Sequence, residues 1–132
     1  MTWSGSRDVP KEMMALTVKT DRSGRVVVSV RGEIDQAAAV KLMHKLDRLV
    51  AEGRARIVLD LSDVRLCGAQ ALSALVRTRA RADRAGGWLR LAGTPVHVRK
   101  VIAVTDLDRL LPHHENVASA LLGRRAPADT AN

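Results

Sequence analysis

Polar and apolar positions alternate at the start of the chain and then change period. Leu16 and Val18 alternate with polar residues, Asp21-Arg22-Ser23-Gly24 carries turn chemistry, and Val26-Val27-Val28-Ser29-Val30 is strongly β-branched. This pattern predicts an opening β-hairpin. From Ala37 to Ala51 the spacing becomes three or four residues, through Val40, Met43, Leu46, Leu49 and Val50, with Lys41, Lys45 and Arg48 between them. That is the period of an amphipathic helix with those five residues as its apolar stripe, and Gly53 stops it. Ile57-Val58-Leu59-Asp60-Leu61 is almost continuously apolar, as in a strand covered on both faces, so it is expected at the centre of a sheet.

A second helix is predicted from near Ala69 to Ala85. Leu72, Leu75, Val76 and Ala80 fall on one face, Arg77, Arg81 and Arg84 on another, and Gly86-Gly87 ends it. Trp88 to Leu91 predicts a further strand. Pro95 opens a third helix carrying Val98, Val101 and Ile102, and Leu110-Leu111 with Val117 to Leu122 closes the fold. Strands alternating with helices after a hairpin predict an α/β domain with a mixed sheet and crossover helices.

Composition narrows the picture. With 132 residues, 46% hydrophobic and 27% charged, one folded domain is expected. Residues 13–122 are taken as that domain, while 1–12 and 123–132, mixed in Ser, Gly, Pro and charge, read as flexible tails. Aromatics are 2% with no Phe or Tyr, so the core must come from Leu, Val, Ile, Ala and Met, and stacking on bases is disfavoured. A single cysteine allows no internal disulfide and nothing at the start reads as a secretory leader, so a cytoplasmic setting is expected. Charges interrupt every apolar run well short of the roughly 20 residues that span a bilayer, so no membrane association is expected. The net charge of +8 favours acidic partners, although abundant Arg and Ala also follow from a GC-rich genome, the reading preferred here.

Two segments in order resemble the STAS domain, the fold of bacterial anti-sigma factor antagonists and of sulfate-transporter tails. Val30-Arg31-Gly32-Glu33-Ile34-Asp35 is similar to the family's Gly-Glu-(Leu/Ile)-Asp signature between the second strand and the first helix. Ile57 to Val64 resembles the strand leading into the family's switch loop, and Leu72-Ser73-Ala74-Leu75-Val76 with Ala85-Gly86-Gly87 matches the helix and turn beyond it. The resemblance implies a STAS-like mixed sheet of about four to five strands with about four helices mainly on one face. It further implies an anti-sigma factor of the ATPase-like kinase type as partner, and an indirect effect on transcription. In such antagonists a kinase phosphorylates a serine in an Asp-Ser-Ser-Gly loop. Here Gly68-Ala69-Gln70-Ala71 falls on that motif, so the acceptor position is Gln70 and no phosphorylation is expected there. The implied partner surface is Asp35, Gly68, Ala69, Gln70 and Ser73. Within the family the rival reading is a phospho-independent scaffold or sensor.

Asp35, at a helix start, is equally suited to capping that helix or to meeting a partner. Gly32 eases the chain toward the helix. The amides of residues 68–70 offer an anion a helix start, but no phosphate-cradle motif accompanies them, so plain capping is preferred. Cys67 reads as a small buried residue in preference to a redox sensor. Ser62 and Ser73 are further hydroxyls, and Ser73 adjoins the apolar face, which argues against kinase access. His113-His114 is placed in a loop and lacks a third ligand, so no metal is expected, and no cofactor. The stripe of Arg77, Arg81 and Arg84 leaves an anion- or nucleic-acid-binding module as the alternative from another class, disfavoured because no base-reading motif accompanies it. No nucleophile with a base, no paired carboxylates and no phosphate loop point to an enzyme.

Overall fold

The computed structural model describes residues 13–124; of the expected tails, 1–12 and 123–132, all but Gly123 and Arg124 lie outside the described residues. Strands β1 (Ala15–Thr20) and β2 (Val26–Ile34) lead into helix α1 (Gln36–Ala51). Next come β3 (Arg56–Cys67), α2 (Ala69–Arg84), β4 (Trp88–Ala92), α3 (Val96–Val104), β5 (His113–His114) and α4 (Val117–Leu122). The strands form one sheet in the order β1-β2-β3-β4-β5. β1 and β2 pair antiparallel, and every later neighbour pairs parallel. β3 therefore sits centrally, as expected from its nearly continuous apolar run.

The opening hairpin is set by Asp21, whose carboxylate accepts from the Ser23 and Arg25 amides at 2.9 Å each, while Gly24 takes φ 82. β2 runs beyond the expected Val30. It carries Gly32 at φ 99 where its register with β3 shifts, a bulge only glycine fits easily. The Gly-Glu-Ile segment thus lies inside the strand, not in a connection. Gly87 is required by packing: a Cβ there would meet the Ala55 carbonyl oxygen at 2.1 Å.

Alternation along β2 and β3 divides the sheet into two unequal faces. Val26, Val28, Val30, Ile57, Leu59 and Leu61 join the leucines of α1 and α2 and Val98 and Ile102 of α3 in the main core. On the other face Val58, Ala92 and Ala120 form a small cluster beneath α4. Three helices on one face and a short one on the other match the expected mixed sheet with helices mainly on one side.

Three local expectations are corrected. In α1 the buried stripe is Ala38, Ala39, Leu42, Leu46 and Leu49, whereas Val40 is 45% exposed and Met43 only half-buried. Val40 lies about 200° around the helix from Leu42, and the leucines win the core because they bury more surface. His113-His114 is not loop but the edge strand β5, paired with Leu91 and Ala92 of β4. His114 is buried, with Nδ1 2.8 Å from the Arg124 carbonyl. Ser73, expected to be shielded, is exposed.

Candidate protein-binding site

Both crossover helices return from the ends of parallel strands, so α1 and α2 run side by side in the same direction. Their first turns converge beside the carboxyl ends of β2 and β3. Asp35 caps α1 through its carboxylate, which accepts from the Ala38 amide at 2.8 Å. Gly68 caps α2 with no side chain, leaving Gly68, Ala69 and Gln70 exposed at the start of that helix.

Between the helices lies a groove of about 310 Å³. Gln36, Ala39, Val40 and Met43 of α1 form one wall, and Gln70, Ser73, Ala74 and Arg77 of α2 form the other. Each wall is a set of residues spaced three and four apart, one face of a helix. The groove exists because the side chains midway along it are small: Ala39, Ser73 and Ala74. Of the five expected site residues, it brings together Gln70 and Ser73. Asp35 lines a neighbouring cleft of about 330 Å³ with Glu33, Lys41, Met13 and Met14. Gly68 and Ala69 line neither. The structure adds Gln36, which sequence reading passed over, Val40 and Met43, which it had given to the core, and Arg77, which it had given to a basic stripe. Their signal was present as the i, i+3, i+4, i+7 spacing of Gln36, Ala39, Val40 and Met43, overlooked because Val40 and Met43 are apolar. Leu66, 49% exposed just before the loop, is a further apolar neighbour that sequence reading passed over.

The chemistry of the loop is inert. Burial pushes the Cys67 thiol up to about 11, so it stays protonated despite the helix start beside it. Among the described residues no three His, Cys, Asp or Glu side chains gather as metal ligands. The arginine stripe is partly consumed: Arg81 pairs with Asp47 of α1 at 2.7 Å. No helix among the described residues is long and apolar enough to cross a membrane.

A hairpin-led mixed sheet, an exposed loop after the central strand and a groove between two parallel helices define a STAS-type domain. The sequence profile described as "Mlab, STAS domain" matches residues 18–112, and the chain belongs to the STAS domain family. The anti-sigma-F factor antagonist RsfB of Mycobacterium tuberculosis (strain ATCC 25618 / H37Rv) is 30% identical over 105 residues, covering 80% of this chain and 85% of that protein. The crystal structure of an anti-sigma factor antagonist from Mycobacterium paratuberculosis superposes with a TM-score of 0.76 at 29% identity, covering 89% of this chain and 98% of that one. The Bacillus cell fate determinant SpoIIAA in its phosphorylated form shares the fold, with a TM-score of 0.65 at 16% identity over 84% of this chain and all of that one.

Proposed function

We propose that this chain is an anti-sigma factor antagonist that binds an anti-sigma factor of the ATPase-like kinase type and escapes control by serine phosphorylation. It acts by binding, not catalysis, in the cytoplasm, and its effect on transcription is indirect, through the sigma factor its partner releases. Asp35, Gly68, Ala69, Gln70 and Ser73 make the contact surface.

The observation that carries this reading is Gln70. It is exposed on the first turn of α2 and lines the α1–α2 groove, at the position where the resemblance places the phosphorylated serine. A phosphate there would add a charge of about −1.5 to −2. A glutamine amide adds none and hydrogen-bonds at every pH, so the surface stays in one charge state. The nucleic-acid alternative gains nothing from the structure, since the ion pair with Asp47 neutralises the middle arginine of the stripe.

The test is affinity capture from source-cell lysate with and without ATP, followed by calorimetric titration of the purified anti-sigma factor it yields. Binding that ATP leaves unchanged, with a bait free of phosphate by mass spectrometry, is expected. Phosphorylation of the bait with release of the partner ends the unswitched reading, and failure to bind any anti-sigma factor ends the antagonist reading.

A further inference from the structure

The walls of the α1–α2 seam face each other with a constant offset. Arg81 meets Asp47 at 2.7 Å and, one turn nearer the helix starts, the Arg77 guanidinium meets the Met43 sulfur at 3.8 Å, both pairs 34 residues apart. The same offset matches Val40 with Ala74 and Gln36 with Gln70 in the groove walls. The seam is therefore one repeated pairing that is closed by an ion pair at one end and open to solvent at the other. At the Asp47 level a carboxylate neutralises the arginine. At the Met43 level the arginine finds a thioether, a weak acceptor that leaves its charge uncompensated. Among the described residues no carboxylate lies in ion-pair range of Arg77 or of Arg84, whereas Arg79 pairs with Asp83 at 3.6 Å and Arg81 with Asp47, and of the two arginines without an ion pair on α2 only Arg77 lines the groove. Beyond Arg77 the seam opens onto an alanine-floored notch with Val40 at its rim.

We infer that this open end receives a segment of the partner protein carrying an apolar side chain for the notch and a carboxylate for Arg77. The inference rests on the antagonist reading. Val40 and Arg77 stand about one helical turn, roughly 5 Å, apart along the seam. The two groups on the partner are spaced to match, as at i and i+4 of a helix. A phosphate backbone would satisfy Arg77 but leave the apolar notch unfilled, which favours a protein occupant. Arg77 acts as the anchor, because an arginine paired with a carboxylate in a partly dry groove is a strong and directional contact. The excess of positive charge, +8 over the chain, suits an acidic partner.

The probe is the anti-sigma factor that the unmodified chain binds, titrated by calorimetry against four variants. R77E is expected to weaken binding about a hundredfold, whereas R84E, with the same change in net charge on the same helix, changes it less than about threefold. M43E supplies Arg77 with the carboxylate that Arg81 already has. It should weaken binding about tenfold while thermal melting shows an intact fold, and H44E, the same added charge on an exposed position of α1 outside the groove lining, should change binding less than about threefold. A Glu→Lys or Asp→Lys change on the partner should restore binding to R77E. If R77E and R84E weaken binding equally, the contact is only long-range attraction and the inference fails while the antagonist reading stands. Retained binding by R77E also overturns it. So does an R77E defect confined to duplex DNA, or to self-association seen by sedimentation. If the unmodified chain binds no anti-sigma factor, both readings fall together.

Discussion

Helices α1 and α2 are both sixteen residues long, both follow a parallel strand, and they begin in opposite ways. α1 starts on a carboxylate that caps it, with Asp35 accepting from Ala38; α2 starts on Gly68, with no side chain over its first turn. A capped start spends part of its chemistry internally, here one amide and one carboxylate oxygen. A bare start keeps its amides and its partial positive charge for whatever docks there. The family resemblance places the regulatory residue on the bare start. The difference between the two turns is thus the difference between a turn that serves the fold and one whose chemistry is left available.

The largest expected effect comes from putting a fixed charge on the bare start. Gln70→Asp should lower affinity for the anti-sigma factor about a hundredfold, because a carboxylate imitates the missing phosphate at the contact surface. The same change should raise stability by a few tenths of a kcal/mol, since an acid in the first turn of a helix is favoured by its dipole. Opposite signs in calorimetric titration and urea unfolding would show that this turn answers to binding; a loss of both would mean that it is structural. The companion Gln70→Ser should make the chain a phosphate acceptor for the partner in ATP, read by intact mass.

Cys67 tests how far the field of the bare start reaches. A helix start lowers a thiol pKa, yet burial lifts this one to about 11 against 9.0 for the free group, so desolvation dominates. The folded state therefore holds the proton to higher pH than the unfolded state does. The stability this gives is fully present below pH 9 and is lost as pH rises toward 11. Relative to Cys67→Ala, the unmodified protein should lose on the order of 2 kcal/mol between pH 8 and pH 10.5. A difference that stays flat across this window in chemical denaturation would show the thiol to be solvated.

On the capped side, Asp35→Ala should cost about 1 kcal/mol by urea unfolding, the usual value of an N-cap carboxylate, and Asp35→Asn much less. A loss of affinity beyond the loss of stability is expected if Asp35 meets the partner as well as capping α1, and a loss of stability alone would remove it from the contact surface.

What the sequence could reveal follows the same line between local and long-range causes. The turn at Asp21-Arg22-Ser23-Gly24, the β-branched strand and the glycine stops were legible because each depends on residues within a few positions of itself. The rotation of α1 was not. Whether Val40 or Leu42 faces the sheet depends on what the sheet and α2 present to the helix, and a tally of apolar spacing gives them equal weight. β5 escaped notice because two histidines become a strand only by pairing with the backbone of β4. The meeting of Met43 with Arg77 joins residues 34 positions apart and depends on two crossover connections having matched lengths. The position of Gln70 was legible from the resemblance, but the groove it lines was not.

The smallest expected effect tests whether the bare start is bare by necessity. Gly68 has φ −80 and ψ 167, a conformation open to any residue, and a Cβ built there meets no atom within 4 Å. Neither backbone nor space therefore demands glycine. Gly68→Ser would place a hydroxyl where it can accept from an amide of the first turn and would also reduce the freedom of the unfolded chain. Together these should add about 0.5 kcal/mol or slightly more to stability, measured by urea unfolding. If folding alone had shaped this turn, the gain would carry no loss of function. On the reading developed above, the hydroxyl competes for an amide that the partner uses, so affinity should fall a fewfold as stability rises. Equal affinity with higher stability would mean that the partner does not touch these amides, and would confine the contact surface to the groove between Gln70 and Arg77.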